Sequence, residues 1–244
     1  MFLGLDIGTG GSRAVVIDGS GKPIASATSE HEPFASPNIG WAEQSPEDWW
    51  RASCHAIRSV LERIPADRIT SVSFSGQMHG SVFLDEKDDV LRPAILWCDQ
   101  RTEHQVEQIE LTFGREAFVE RVSNPAVTGF TLPKLLWVRD NEPEIWDRVR
   151  SILLPKDYVR FRLTGDKASD VADSSGTLYF DVRNRCWAHE VLDAFGIDVN
   201  YLSKVYESVQ QTGVVSKSGA EATGLNHGTA VIAGAGDNAA GAIG

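Results

Sequence analysis

The stretch from residue 2 to residue 18 reads FLGLDIGTGGSRAVVID, and it decides how the fold begins. Residues 2–7 and 13–18 each have the composition of a buried strand, and the glycine-rich residues 8–12 separate them. A third strand is predicted over residues 22–29. The loop therefore joins a strand to a strand. A dinucleotide-binding fingerprint needs a helix after its glycines, and a Walker loop needs a Lys-Ser or Lys-Thr pair there, so the sequence excludes both.

The loop between the first two strands has the composition of an anion-binding site. The N–H groups of its glycines, together with the hydroxyls of Thr9 and Ser12, can form a nest around a phosphate. An ordinary glycine-rich hairpin, with Asp6 as a turn residue, is the alternative. For this loop alone the alternative is the better interpretation, because glycines serve tight turns everywhere.

A second glycine-rich turn lies at residues 234–238, which read GAGDN. A short apolar strand over residues 229–233 leads into it, and Asp237 or Asn238 is expected to cap a helix that begins at Ala239. The positive end of the helix dipole is expected to hold the Asp237 carboxylate ionised, and an ionised carboxylate that faces a hydroxyl is a general base. A simple N-cap is the alternative role. The pairing of this turn with the first hairpin favours catalysis, and it indicates phosphoryl transfer.

Length, charge and cysteine content restrict the class of protein. The 244 residues carry 23 Lys and Arg against 34 Asp and Glu, a net charge of −11, which argues against nucleic acid and anionic membranes as partners. No apolar stretch approaches the ~20 residues of a membrane span. The three cysteines, Cys54, Cys98 and Cys186, are widely spaced, which is typical of reduced thiols in a cytoplasmic protein.

Strands and helices alternate along the rest of the chain, a pattern that predicts one α/β domain. A helix begins at Ser45 and Pro46, ends at Pro65, and is predicted to turn an apolar stripe towards a sheet. The stripe consists of Trp50, Cys54, Ile57, Leu61 and Ile64. A strand is predicted over residues 69–74, and residues 82–84 are expected to continue the same sheet.

Four segments together resemble the amino-terminal half of the FGGY carbohydrate kinases, and the resemblance covers essentially all 244 residues. They are, in order, residues 6–13, residues 40–50, residues 129–141 and residues 236–238. The resemblance implies an actin- and hexokinase-like architecture of two ribonuclease-H-like lobes around a cleft. Residues 1–244 would form the first lobe, an α/β domain with a mixed five-stranded sheet flanked by helices. The ATP-binding second lobe is expected to be absent from this chain.

The resemblance also implies which residues line the cleft. The loop Gln77-Met78-His79-Gly80 is similar to the sugar-contact loop of the xylulokinases in this family, and residues 97–101, WCDQR, resemble a Trp-x-Asp-x-Arg segment at the same cleft. The substrate-binding residues so implied are Gln77, Met78, His79, Trp97, Asp99, Arg101, Asp237 and Asn238. The alternatives are that Met78 fills core space, that His79 is a satisfied loop histidine, and that Asp99 and Arg101 form a surface ion pair.

The activity implied is the ATP-dependent phosphorylation of D-xylulose to D-xylulose 5-phosphate, with Asp237 as the catalytic base. Magnesium is expected to bridge the phosphates with Asp6 nearby, in contact through water, because Mg²⁺ keeps much of its hydration. The implied phosphate-binding residues are Thr9, Gly10, Gly11, Ser12 and Arg13. Sugar, ATP and the second lobe are the expected partners, and a homodimer is left open. Another ketose or polyol kinase, a non-catalytic sugar-binding module and an actin-fold ATPase remain as alternatives.

Overall fold

The computed structural model describes residues 1–243, and a mixed sheet forms its centre. The strands are β1 (Phe2–Ile7), β2 (Gly11–Ile17), β3 (Pro23–Glu30), β4 (Glu43–Gln44), β5 (Ser71–Gly76), β6 (Val82–Leu84), β7 (Ala94–Ile95), β8 (Ser151–Leu153), β9 (Ala168–Asp170), β10 (Phe180–Asp181), β11 (Cys186–Trp187), β12 (Lys204–Tyr206), β13 (Gln211–Val214), β14 (Ala230–Ile232) and β15 (Ala235–Gly236). The helices are α1 (Pro46–Leu61), α2 (Glu103–Phe113), α3 (Arg115–Val122), α4 (Thr131–Asn141), α5 (Pro143–Trp146), α6 (Pro155–Thr164), α7 (Val171–Ser174), α8 (His189–Ala194), α9 (Lys217–Thr223) and α10 (Asp237–Ile243).

The central sheet has the strand order β13-β14-β5-β1-β2-β3, with β15 also paired to β5. Strand β5 runs parallel to β1, β14 and β15, whereas β2, β3 and β13 are antiparallel to their neighbours. The sheet thus has seven strands instead of the predicted five. Edge strand β13 is additional, and the last parallel strand is divided at Gly234, where φ is +82° and a Cβ would lie 2.1 Å from the carbonyl oxygen of Phe74.

The opening stretch forms the predicted hairpin. Strands β1 and β2 are antiparallel, with Asp6 opposite Arg13, and the Gly8 N–H donates to the Gly11 carbonyl over 3.0 Å to close the turn. Alternate residues of β1 are buried, so Leu3 and Leu5 face the core. The strand-to-strand connection predicted from the glycine pattern is confirmed.

Helix α1 packs against the sheet with a face that only partly matches the predicted one. Trp49, Ala52 and Ala56 are buried against β2 and β3, because two alanines let the helix approach the sheet closely. Of the predicted stripe, Ile57 and Ile64 are buried in the same core, whereas Trp50 and Leu61 are only half-buried and lie towards α6 and α9. The helix has two apolar faces, and the spacing of apolar residues alone did not distinguish which of them meets the sheet.

The prediction that residues 82–84 continue the central sheet is wrong. Strand β6 pairs instead with β8 in a separate two-stranded sheet. This smaller sheet adjoins a second apolar core that surrounds α4, and Leu132, Leu135 and Leu136 of that helix are completely buried. The first core lies between the central sheet and helices α1 and α6. No helix within residues 1–243 is long and apolar enough to cross a membrane.

One face of the central sheet is only partly covered. Phe2 and Asp6 of β1 are exposed on it, and Ser73 and Ser75 of β5 are half-buried. A hollow of about 300 Å³ lies on this face and reaches the first turn of α10 at Ala240. The opposite face of the same strands is completely buried, so the two faces of this sheet have different environments.

Candidate active site

The site forms where the carboxyl ends of three parallel strands meet. The register of β1, β5 and β15 aligns Ile7, Gly76 and Gly236 at one edge of the sheet. The three segments that follow these strands therefore emerge side by side: the glycine loop, the loop that begins at Gln77, and helix α10. In open α/β sheets this edge is the usual place for ligands.

A cavity of about 230 Å³ opens at this edge, and five of the eight residues predicted to bind substrate line it. They are Met78, His79, Trp97, Asp237 and Asn238. Met78 and Trp97 form apolar walls, and His79, Asp237 and Asn238 present an imidazole, a carboxylate and an amide. The cavity thus combines apolar contact with a few convergent hydrogen-bonding groups, which is typical of small-molecule sites.

His79 is held in one orientation and in one tautomer. Its Nδ1 lies 2.8 Å from the carbonyl oxygen of Gly176, and since a carbonyl only accepts, Nδ1 carries the hydrogen and Nε2 is left as an acceptor. The ring stacks on Phe130 with 4.2 Å between centroids. Burial lowers the pKa of His79 to about 4, so the ring is neutral at physiological pH. A Cβ at Gly176 would lie 2.5 Å from the His79 ring, which explains the glycine.

Met78 packs directly on the backbone that precedes Asp237. A Cβ at Gly236 would lie 2.6 Å from Cγ of Met78, so only glycine allows the side chain to occupy this place. The thioether thereby forms a wall next to the Asp237 carboxylate. Met78 contributes to the cavity instead of filling the core.

Trp97 connects the cavity to the glycine loop. Its indole is 49% exposed, and Nε1–H donates to Thr9 Oγ1 over 3.0 Å. The Thr9 hydroxyl in turn donates to Gln77 Oε1 over 3.3 Å. Gln77 is buried, and its amide also donates to the carbonyl of Gly8 at 3.4 Å. Gln77 therefore supports the glycine loop and does not line the cavity, contrary to the prediction.

Asp237 is the first residue of α10, two positions before the predicted start of that helix. Its Oδ1 accepts the N–H of Asn238 over 2.8 Å, and the side chain is exposed at the mouth of the cavity. Partial burial and, next, the negative charge of Asp6 raise the pKa of this carboxyl. The hydrogen bond from the Asn238 N–H at the start of α10 opposes this rise in the pKa but does not reverse it. A raised pKa makes the ionised carboxylate a stronger base.

Asp6 is exposed at the end of β1, opposite Arg13 on β2. Within residues 1–243 no protein donor forms a hydrogen bond or ion pair with its carboxylate, so both oxygens are accessible to a ligand. A hydrated divalent cation binds through one or two such carboxylates, and the chemistry of Asp6 fits that requirement.

The glycine loop keeps part of its predicted capacity for an anion. In the described part of the chain, the N–H groups of Thr9 and Gly10 donate to no protein acceptor, so both are available. Ser12 does not contribute its hydroxyl as predicted. That hydroxyl is buried 2.9 Å from His31 Nε2 and accepts from Ser53 Oγ over 3.0 Å. Successive strand residues point to opposite faces, so Ser12 enters the core while Arg13 stays exposed.

Asp99 and Arg101 do not reach the cavity, contrary to the prediction that they bind substrate. Both side chains are buried, and Arg101 forms ion pairs with Asp99 at 2.7 Å and with Glu43 at 2.6 Å. The guanidinium also lies 3.7 Å above the Trp41 ring. Because these groups satisfy one another inside the protein, they act as supports of the Trp97 loop. The pair is a buried one and not the surface ion pair of the alternative interpretation.

Comparison with known proteins places this arrangement in a family. The model of the FGGY family of carbohydrate kinases, N-terminal domain, matches residues 1–244. The chain belongs to the FGGY family. The xylulose kinase of Escherichia coli strain K12 is 38% identical to this chain over 244 residues. The match covers 100% of this chain and 50% of that protein. The chain spans about half the length of the curated relatives it matches.

Solved structures agree with the FGGY fold. A xyloylose kinase from Brucella ovis matches with a TM-score of 0.92 and 39% identity, over 98% of this chain and 49% of that one. A xylulose kinase from Rhodospirillum rubrum matches with a TM-score of 0.95 and 25% identity, over 99% of this chain and 50% of that one. The actin- and hexokinase-like α/β fold inferred from the four motifs is confirmed.

Behind the cavity of this FGGY domain lies a buried charge cluster that the sequence did not predict as a unit. Lys156 Nζ lies 2.6 Å from Asp157, 2.5 Å from Asp170 and 3.2 Å from Asp173, and all four side chains are buried. The three carboxylates are close enough together to hold a metal ion, but the ammonium group already lies among them. Asp170 and Asp173 thus have a structural role, and the adjacent Lys156-Asp157 pair is the sequence signal that could have indicated this cluster.

Arg160 links this cluster to the segment that carries Asp237. Its guanidinium pairs with Asp157 at 2.7 Å and donates to the carbonyl of Ala233 over 2.5 Å. Ala233 lies four residues before Asp237, at the break between β14 and β15. The cluster therefore anchors the backbone from which the candidate base projects.

Proposed function

We propose that this chain is the sugar-binding lobe of a kinase that transfers the γ-phosphoryl group of ATP to D-xylulose, giving D-xylulose 5-phosphate. The observation that carries the proposal is the position of the Asp237 carboxylate, which faces a cavity walled by Met78, His79 and Trp97 and lies near Asp6. Curated relatives that are 38% and 40% identical are named xylulose kinases. Because this chain covers about half of each, the activity is proposed for the full gene product.

The cavity suits a neutral polyhydroxylated substrate. The Nε2 of His79 accepts from a hydroxyl, the Asn238 amide both donates and accepts, and Asp237 accepts. Met78 and Trp97 provide apolar surfaces for the C–H groups of a sugar. The residues that line the cavity include neither Lys nor Arg, and Asp237 would repel an anion. This combination favours a ketose or polyol over a sugar acid.

Asp237 is proposed to act as the general base. It takes the proton of the terminal hydroxyl while that oxygen forms a bond to the γ-phosphorus; the bond from phosphorus to the bridging oxygen breaks, and its electron pair leaves with ADP. Phosphoryl transfer has a loose transition state, so positioning and charge neutralisation account for most of the acceleration. Partial burial and the charge of Asp6 raise the pKa of Asp237, which strengthens it as a base.

The transferred phosphoryl group is proposed to lie against the glycine loop. The available N–H groups of Thr9 and Gly10 and the exposed guanidinium of Arg13 would bind its oxygens. A divalent metal ion, magnesium in our proposal, would neutralise phosphate charge, and Asp6 would hold it through water. In this arrangement Asp6 and Asp237 have separate tasks at the same edge of the sheet.

A second lobe is proposed to supply the nucleotide pocket. The partly covered face of the sheet, where Asp6, Ser73 and Ser75 lie, gives such a lobe a surface beside the cavity. We also propose a cytoplasmic location, because free thiols at Cys54, Cys98 and Cys186 suit a reducing compartment. The homodimer stays a prediction that light scattering on the purified protein would test.

The substrate is tested with the full gene product and a panel of acceptors. ADP release is measured with D-xylulose, D-ribulose, glycerol, D-gluconate and no sugar, and D-xylulose is expected to give the highest kcat/KM. A higher value for another ketose or polyol would identify a different kinase of this family. ATP hydrolysis that no sugar stimulates would support the actin-fold ATPase alternative, and sugar binding without ADP release would support a non-catalytic module.

The base is tested by Asp237→Asn in the same protein. Turnover is expected to fall by ~10²-fold or more, because the proton acceptor is lost, while sugar affinity stays within a few-fold. Asp67→Asn, at an exposed site in a 3₁₀ turn, is the matched control. Turnover like that of the wild type in Asp237→Asn would mean that Asp237 is only the first residue of a helix.

A further inference from the structure

Lys134 is a buried lysine without a carboxylate partner in the part of the chain that the structure describes. The side chain, on the fourth residue of α4, has no exposed surface. Its Nζ instead donates to two backbone carbonyls, those of His79 and Gly129, each over 2.7 Å. A buried ammonium group costs free energy unless it is well paired, so a lysine that serves only to fill space would be a poor choice here.

The surroundings of Lys134 favour an uncharged amine. Burial lowers the pKa of this lysine to about 7, against the opposing effects of Asp99 and Cys98, while Arg101 lowers it further. A neutral amine still has two N–H groups, one for each carbonyl. The two hydrogen bonds are thus retained whether the Lys134 amine is charged or neutral. The role of Lys134 therefore depends on the position of its two donors and not on its charge.

One of the two carbonyls belongs to a residue in an unusual backbone conformation. His79 has a φ of +67°, in the left-handed region that residues other than glycine rarely adopt. Such a conformation persists where surrounding contacts hold it. Lys134 and, at 3.4 Å, the Thr131 hydroxyl both donate to the His79 carbonyl. The same short segment of α4 therefore fixes the backbone that aims the His79 ring into the cavity.

The other carbonyl connects Lys134 to the opposite wall of the cavity. Gly129 lies directly against the Trp97 loop, since a Cβ on it would be 2.6 Å from the Trp97 carbonyl oxygen. Phe130, the next residue, stacks on His79. A single amine thus joins the loop that carries His79 to the segment that packs on Trp97.

We propose that Lys134 is a positioning residue of the sugar site, which sets the distance and orientation of His79 relative to Trp97 through two backbone carbonyls. The proposal rests on the proposed function, because it assigns these two side chains to the sugar. Lys134 does not touch the substrate. Its contribution is to hold the His79 backbone in the left-handed conformation that places Nε2 at the cavity.

The test uses Lys134→Met, which keeps a long unbranched side chain but loses both donors, in the full gene product. The KM for sugar is expected to rise by about 10-fold or more, because misplaced binding groups lose much of their effect, while the KM for ATP stays within about 2-fold. Lys134→Gln keeps two N–H donors without a charge and is expected to be intermediate. Leu136→Ala, which truncates a buried side chain of the same helix, is the control for lost stability.

A second measurement does not depend on turnover. The rate at which diethyl pyrocarbonate modifies His79 is followed by peptide mass spectrometry, with and without saturating sugar. In the wild type sugar is expected to protect His79, and in Lys134→Met and Lys134→Gln the unprotected rate should change, whereas in Leu136→Ala it should not. If Lys134→Met does not fold, Lys134→Gln carries both measurements.

The outcomes separate the two proposals. A wild type without sugar-dependent ADP release contradicts the proposed function, whatever the variants do. An active wild type whose sugar KM and His79 reactivity are unchanged in both Lys134 variants overturns the positioning role. Equal effects of Leu136→Ala and Lys134→Met on sugar KM would also overturn it, since lost stability would then explain both.

Discussion

Asp6 of β1 and Asp237 of α10 are far apart in the sequence, yet the charge of Asp6 affects the Asp237 carboxyl. The charge of Asp6 is the second cause, after burial, of the raised pKa of Asp237. A base with a raised pKa is protonated, and thus inactive, at a higher pH than an ordinary aspartate. The acid side of the pH profile is therefore expected to report this pair of residues.

Asp6→Asn should move the acid limb of the kcat/KM profile to lower pH. Removing the neighbouring negative charge makes it easier for Asp237 to lose its proton, so its pKa falls and the base stays ionised in more acidic solution. The measurement is kcat/KM for sugar between pH 4 and pH 8, with Asp67→Asn as the control. The same variant should require more magnesium for half-maximal rate. An acid limb at the wild-type position would show that the two carboxylates do not interact.

At the scale of elements, glycines and buried charges hold the three segments of the site in place. Gly236 admits Met78 and Gly176 admits His79, so these two cavity residues each pack on a backbone position that lacks a Cβ. Behind them, Arg160 holds the Ala233 carbonyl before the candidate base. The charge cluster around Lys156 lies in the interior, where an unpaired ion is costly.

We predict that two substitutions in the cluster lower the free energy of unfolding by very different amounts. Lys156→Met leaves the carboxylates of Asp157 and Asp170 without their shared cation and should lower the free energy of unfolding by about 3–5 kcal/mol. Asp173→Asn should cost far less near neutral pH. Burial raises the pKa of Asp173 to about 8, so the folded protein already keeps this group largely protonated there, and an amide has a similar shape.

The same pKa gives a pH dependence whose sign can be stated. Since the pKa of Asp173 is raised in the folded state, its contribution to stability is complete below about pH 4 and is lost as the pH rises to about 8. The amide of Asp173→Asn does not ionise, so the variant does not lose this stability as the pH rises. Its stability relative to the wild type, measured by urea unfolding, should therefore improve between pH 5 and pH 8. A relative stability that does not change with pH would contradict the raised pKa.

At the scale of the whole molecule, the chain has two apolar cores, and in our proposal it forms one side of a cleft that a second lobe completes. The cores on the covered face of the sheet and around α4 are extensive, so we expect residues 1–244 to fold by themselves. Expressed alone, they should bind D-xylulose weakly, because water remains in the open cavity, and should show no measurable ATP-dependent phosphorylation. A coupled ADP assay beside the full gene product checks this, with Asp237→Asn as the control for contamination. Comparable sugar-dependent rates would contradict the one-lobe proposal.

Local sequence patterns were sufficient for the features that depend on neighbouring residues. The hairpin at residues 2–17 followed from alternation and glycines, because turn chemistry and strand period act over a few positions. The motif order predicted the family and placed Met78, His79, Trp97, Asp237 and Asn238 at one cavity. The apolar spacing of α1 predicted its existence and only part of its buried face, which includes Ile57 and Ile64 but also Trp49, Ala52 and Ala56.

Only the tertiary structure decided which polar groups face the cleft and which support it. Gln77, Asp99 and Arg101 stand in segments that resemble sugar-contact motifs, but their side chains are buried and satisfied by other parts of the protein. Apart from the contact between Asp99 and Arg101, their partners lie tens of residues away, as Thr9 does from Gln77 and Glu43 from Arg101, so no local pattern identifies them. The same holds for Lys134, whose two carbonyl partners include His79, 55 positions earlier. Burial and long-range hydrogen bonds depend on the packing of whole elements, which is why the fold assigned these roles.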